Sequence, residues 1–252
     1  MSGRLKVNYN PIPSIFTIGN FLLGFLSILK ILNGHFYTAS WFIILAVLCD
    51  GMDGKIARMT HSESPFGFEL DSLADMVSFG AAPALLVYQQ TLHEIPVFGT
   101  ILCFAYFLAG GYRLARFNVM QAGDRSHGYM GLPIPIAAMT LAAIYINRVP
   151  ILQSHSVPVL FTLQISFILL MVSTVHYDWP QLVQPSSTKN IIKLIGIFCG
   201  VALMALIPHI MLFPLLLIYI LTGFILWVFQ CIMGEHSPTD FFFKAQNLNG
   251  IE

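Results

Sequence analysis

Eight runs of mostly apolar residues follow one another along the chain, each close to the roughly 20 residues a helix needs to cross a bilayer. Their approximate limits are 14–33, 36–56, 71–91, 95–117, 131–148, 156–176, 190–208 and 211–233. An open sheet leaves unpaired backbone groups in lipid, so runs of this kind specify helices. Only 10% of the 252 residues are charged, whereas soluble domains carry about 25%. The expected fold is therefore an all-α polytopic membrane protein with about eight transmembrane helices, built as one domain over 1–252. Within it, 1–13 is an N-terminal arm, 14–176 a six-helix core, and 190–233 two additional helices.

Twelve basic residues balance twelve acidic ones, which gives no reason to expect a nucleic-acid partner. The four cysteines lie apart in apolar runs and read as buried thiols rather than a disulfide or zinc framework. The first run is long enough to span and lacks a small-residue cleavage pattern, so it reads as a retained helix. Of the twelve basic residues, only Lys30 and Arg148 fall on one side of the eight-span topology. The positive-inside rule then puts both termini in the cytoplasm. Gly196 and Gly200 form a GxxxG spacing, which permits close helix packing without establishing a dimer.

The stretch from Asp50 to Asp75, on that same cytoplasmic side, is the chemical anomaly. Asp50 and Asp53 are three apart at the end of the second run, and Asp71 and Asp75 four apart at the start of the third. Each pair shares a helix face. Ser62, Ser64, Pro65 and Gly67 suit the turn between them. A carboxylate at a helix centre in a membrane costs about 2.5–3.5 kcal/mol on insertion scales. Lys55 and Arg58 are too few to offset four of them. Oxygen-only ligands suit hard divalent cations, magnesium, manganese or calcium. Two such ions serve phosphoryl-type displacement.

Other polar residues lie within the apolar runs. Thr17 and Asn20 share a face of the first helix and either bond a neighbouring helix or line a site. Arg113 and Arg116 share a face near the end of the fourth helix. They either snorkel to headgroups or bind a phosphate or carboxylate through the guanidinium fork. The following stretch VMQAGDRSHGY reads as a polar loop, and Pro133 and Pro135 open the fifth helix.

The arrangement Asp50-x2-Asp53-Gly54-x2-Ala57-Arg58-x8-Gly67-x3-Asp71-x3-Asp75 resembles the signature of the CDP-alcohol phosphotransferases at every fixed position. The resemblance implies a helical-bundle membrane enzyme that moves a substituted phosphoryl group from a CDP-linked donor to an alcohol and releases CMP. It implies Asp50, Asp53, Asp71 and Asp75 as ligands of two divalent cations, Asp75 also as general base, and Thr17, Asn20, Gly54, Ala57, Arg58 and Gly67 around the CDP moiety. The segments IPSIFTIGNFLLGF, SFGAAPA, YRLARFN and GLPIP resemble the branch that uses CDP-diacylglycerol and L-serine, the phosphatidylserine synthases. That branch implies a homodimer in the cytoplasmic membrane with a cytoplasmic active site. Arg113 and Arg116 are the candidates for the acceptor's carboxylate. The same reaction on glycerol 3-phosphate or inositol phosphate would want a denser basic cluster. A transporter, the rival of another class, would show repeated halves, and no repeat is evident.

Overall fold

The computed structural model describes residues 11–59, 65–123, 130–147, 156–175, 177 and 207–233. The first helix, α1 (Pro11–Leu32), opens on prolines whose missing N–H groups cost nothing in a first turn. Its buried stripe is Thr17, Asn20, Gly24, Ser27 and Ile31. Its exposed stripe is Ile15, Ile18, Leu22, Phe25, Leu29 and Leu32. This inverts the soluble pattern: small and polar side chains meet neighbouring helices while large apolar ones meet lipid. The helix ends in a Schellman pair of bonds, Gly34 N–H to the Ile31 carbonyl at 3.0 Å and His35 N–H to the Lys30 carbonyl at 2.8 Å. The chain then turns back into α2 (Phe36–Met59), and the Ser27 hydroxyl donates across the hairpin to the Ala39 carbonyl at 2.9 Å.

The third crossing is one helical path in three parts: α3 (Pro65–Asp75), a π-helix over Met76–Ala81, and α4 (Ala82–Gln90). Pro83 accounts for the change of winding. It has no N–H for the Phe79 carbonyl one α-turn back, and its ring clashes with that carbonyl in a regular helix. The wider turn moves the ladder to i→i+5, as in the Ala82 N–H to Val77 carbonyl bond. The hydroxyl of Tyr106, fully buried on α5 (Pro96–Gly123), donates to the Phe79 carbonyl at 3.2 Å.

A short 3-10 turn at Leu92–Glu94 links α4 to α5. The middle of the bundle is α6 (Ile134–Asn147), buried almost all round and rich in alanine, against which α2 and α8 (Pro208–Ile232) pack. α7 (Ser156–Val172) lies against α5. A helix buried on every side is held by protein, so α6 need not match the bilayer thickness. Tyr177 seats α8: its ring occupies the space beside Gly223, and its hydroxyl donates to the Ile220 carbonyl at 3.4 Å.

Among the described residues, five segments are long and apolar enough to cross a membrane: Ile15–Leu32, Phe36–Gly54, Phe66–Gln90, Pro96–Met120 and Pro208–Phe229. Ile134–Asn147 and Val157–Val172 are shorter apolar helices. Together they account for seven of the eight expected runs, and the chain is an all-α, multi-pass membrane protein. Of the expected helix at 190–208, residues 190–206 with Gly196 and Gly200 lie outside the described residues and Pro208 opens α8; of the expected arm 1–13, residues 1–10 lie outside them. Helix limits shift from expectation by a few residues at several ends: α1 starts at Pro11, inside the expected arm 1–13. The third crossing starts at Pro65 rather than 71, so Pro65 and Gly67 belong to a helix rather than a turn; Ser62 and Ser64 lie outside the described residues. α5 runs to Gly123 and takes in part of the expected loop, because Val119 to Ala122 contains no breaker.

Tyr106→Phe should leave the buried Phe79 carbonyl without this donor and cost about 1–3 kcal/mol. A lowered Tm of the purified protein in detergent is the expected reading, and an unchanged Tm would show that the π-helix does not rely on Tyr106.

Candidate active site

The start of α1, the end of α2, the start of the third crossing and the end of α5 bring their polar residues to one end of the bundle. Carboxylate oxygens of Asp50, Asp71 and Asp75 lie within 4.8 Å of one another there. Asp53 stands beside this trio, close enough to Asp50 and Asp71 to act on both electrostatically. It accepts the Thr17 hydroxyl in a short hydrogen bond. Asp53 and Asp75 are each 6% exposed and Asp50 and Asp71 are half-buried, so water screens the repulsion among the four only in part.

The third crossing is fixed against α1 by Asn20, whose amide nitrogen donates to Asp75 Oδ1 at 3.0 Å and whose backbone carbonyl accepts the Ser78 hydroxyl at 2.8 Å. The contact requires glycine at position 24. A Cβ there would lie 2.7 Å from Ser78 Cα, a backbone atom that cannot move aside as a side chain would. Thr17 and Asn20, for which two readings stood open, therefore line the aspartate site. Ser78 completes the arrangement and was not singled out from sequence. Its only signal was a hydroxyl one helical turn past Asp75 on the same side of the helix.

The donor set fits a hard cation. It consists of carboxylate oxygens converging to ligand distance, and among them Asp71 Oδ1 is buried with no hydrogen-bond partner among the described residues. Such an atom costs free energy unless a cation or donor reaches it. Asn20 Oδ1 is likewise buried and unpartnered. The neighbouring Gly54 is exposed, and a Cβ there would meet nothing within 4 Å, so the α2 backbone is open to an approaching group. Gly67 is half-buried in the first turn of α3. Ala57 and Arg58 fall at the end of α2, but their side chains lie outside the described residues.

The two arginines part company. Arg113 is 6% exposed, stacks over the Phe117 ring at 5.3 Å, and lies close enough to Asp50 and Asp75 to offset their charge. Arg116 instead donates to four backbone carbonyls: Val172 at 2.9 Å, Ser173 at 2.8 Å, Met130 at 3.0 Å and Met171 at 3.3 Å. These belong to the end of α7 and the turn before α6, where the last helical carbonyls lack intrahelical donors. A cavity of about 330 Å³, lined by His35, Tyr37, Thr38, Gln90 and Tyr145 among others, lies at the opposite end of the bundle and holds none of these groups.

A family model described as CDP-alcohol phosphatidyltransferase matches residues 10–179, which include all four aspartates and both arginines. The CDP-diacylglycerol–serine O-phosphatidyltransferase of Helicobacter pylori (strain ATCC 700392 / 26695) is 29% identical over 222 residues, covering 87% of this chain and 92% of that protein. The protein of the same name from Bacillus subtilis (strain 168) is 38% identical over 143 residues, 57% of this chain and 80% of that one. An archaetidylserine synthase of Methanothermobacter thermautotrophicus is 32% identical over 179 residues, 70% of this chain and 73% of its own length.

Arg116→Ala should orphan several carbonyls at once and lower the Tm in detergent, each lost bond to the charged group being worth about 1.5–3 kcal/mol. Arg116→Lys should not restore it, because an ammonium cannot reproduce the planar fork that reaches four acceptors. Full rescue by lysine would mean that charge alone suffices.

Proposed function

The chain belongs to the CDP-alcohol phosphatidyltransferase family, and from that premise we propose that it transfers the phosphatidyl group of CDP-diacylglycerol to the hydroxyl of L-serine, yielding phosphatidylserine and CMP. The observation that carries the reading is the convergence of Asp50, Asp71 and Asp75, with Asn20 on Asp75 and Arg113 alongside. The names of the relatives support serine as acceptor, since each specifies serine or a serine-containing product. Asp50, Asp53, Asp71 and Asp75 would hold two divalent cations, magnesium or manganese with calcium as a further candidate, which when bound supply positive charge to the pyrophosphate oxygens and the departing CMP.

The protein's own residues do the remaining work. Asn20 holds one oxygen of Asp75, and the carboxylate thus oriented takes the proton of the serine hydroxyl. That oxygen forms a bond to the phosphorus bearing the diacylglycerol as the bond from phosphorus to CMP breaks, and CMP departs with the electron pair. Thr17, Gly54, Ala57, Arg58 and Gly67 surround the CDP moiety, with the open face at Gly54 admitting it. Arg113 takes the serine carboxylate. Arg116 is committed to backbone carbonyls, and the planar fork of Arg113 matches the geometry of a carboxylate. The distribution of basic residues supports a cytoplasmic site and cytoplasmic termini in the cytoplasmic membrane. A homodimer belongs to the same reading and is carried by the family resemblance.

Purified protein with CDP-diacylglycerol, labelled serine and magnesium or manganese should form labelled phosphatidylserine, and a chelator should stop it. Product with another alcohol but none with serine would end the serine assignment. Asp75→Asn should lower kcat by about 10²–10⁴-fold, the usual contribution of a general base, while CDP-diacylglycerol binding stays within severalfold. Near-normal turnover would remove Asp75 from the proton transfer. Arg113→Ala should raise the KM for serine more than that for CDP-diacylglycerol.

A further inference from the structure

Asp75 is the last residue of α3, and the π-helix Met76–Ala81 begins immediately after it. A π-turn takes in one residue more than an α-turn, and one residue of α-helix is about 100° of rotation. In an unbroken α-helix Asp75 would stand in line with Ala82 and Leu86; one extra residue in the turn brings Pro83 and Val87 into that line instead. The two ends of the crossing are pinned separately. α4 is held by its buried Ala82, Pro83, Ala84, Leu86 and Val87, and α3 carries Asp71 and Asp75 to the aspartate of α2. α1 lies along all three parts of the crossing. A return to α-winding would therefore turn either the aspartates away from Asp50 or the buried face of α4 away from its neighbours.

We propose that Pro83 is a positioning residue for the transfer reaction: by denying the crossing an α-helical register after Asp75, it keeps the Asp75 carboxylate on Asn20 and among the other aspartates. The inference rests on the reading of Asp75 as general base and extends it to a residue that touches no substrate. The path is short. The π-helix presents the Ser78 hydroxyl to the Asn20 carbonyl at 2.8 Å, and the amide of the same Asn20 donates to Asp75 Oδ1 at 3.0 Å. Regular winding is blocked at one peptide. Pro83 has no N–H for the Phe79 carbonyl and its ring collides with that carbonyl in an α-turn. Tyr106 supplies the missing donor from α5 at 3.2 Å. An N–H at position 83 would satisfy the same carbonyl within the helix and remove the collision. The register is thus kept at a cost in helix stability, and a π-segment beside a reacting group is where such a cost serves function.

In the full-length enzyme, Pro83→Ala should lower kcat by about 10- to 100-fold, the range for a reacting group misplaced by about 1 Å. The KM values for serine and CDP-diacylglycerol should stay within about threefold. The Tm in detergent should hold or rise, because a proline leaves a helical path. A proline that only supports the fold would do the reverse, lowering the Tm and leaving the turnover of folded molecules intact. Ser78→Ala cuts the contact without altering the register and should lower kcat by about 10-fold at unchanged KM values. Both residues act through that contact, so the double variant should be at most about threefold slower than the slower single one. A Pro83→Ala enzyme with wild-type kcat, or a double variant whose loss is the product of the two single losses, overturns the inference. If Pro83→Ala does not fold, Ser78→Ala decides, and an unchanged kcat there overturns it as well. Near-normal turnover of Asp75→Asn overturns this inference together with the base assignment. A slow Asp75→Asn beside an indifferent Pro83→Ala overturns this inference alone.

Discussion

Like charges held together where water screens them only in part are the constraint to which the rest of this bundle answers. Two unit charges 4 Å apart interact by about 1 kcal/mol in water, and by about 4 kcal/mol at the effective dielectric near a protein surface. Asp50, Asp71 and Asp75 converge within 4.8 Å, and Asp53 adds its field from the side. Each neighbouring element brings something that favours the anionic form: a hydroxyl from Thr17, an amide from Asn20 and a guanidinium from Arg113. Those groups offset only part of the repulsion. The remainder is what gives the proposed cations their affinity.

Holding Asp75 in place depends on a departure from regular helix geometry. Pro83 withholds one backbone donor, the helix widens to a π-turn immediately after Asp75, and Tyr106 donates to the Phe79 carbonyl. The widened segment presents Ser78 to α1, where Gly24 allows close approach and the Asn20 carbonyl accepts the hydroxyl. The orientation of the carboxylate is thus tied to Pro83, eight residues further along the chain. That link connects a proline in an apolar run to the chemistry at the membrane surface.

The arginines show how the same residue type, three positions apart, serves two ends. Arg113 lies close enough to the carboxylates to offset their charge and is a candidate ligand for substrate. Arg116 closes the end of α7 and the turn before α6, using the reach of its planar fork on four carbonyls. Irregular backbone at this depth is tolerated because such a group satisfies it. The stability of the site's surroundings and its electrostatics are therefore carried by separate side chains.

Much of this was legible in the chain itself. Apolar runs about as long as a bilayer is thick dictate helices, and the spacing of the aspartates dictates which share a helix face. Both are consequences of local geometry. The fixed intervals from Asp50 to Asp75 carried the resemblance to the family now established for the chain. Thr17 and Asn20 stood out as polar residues in an apolar run, but whether they bonded backbone or lined a site depended on what α1 faces. Tertiary structure decided that, and it also separated Arg113 from Arg116, set Asp53 beside the trio, and gave Ser78 its partner on α1. Sequence spacing fixes which side chains share a face of one helix; which atoms meet across two helices depends on their rotation and closeness, and here Gly24, Pro83 and Tyr106 set those through contacts far apart in the chain.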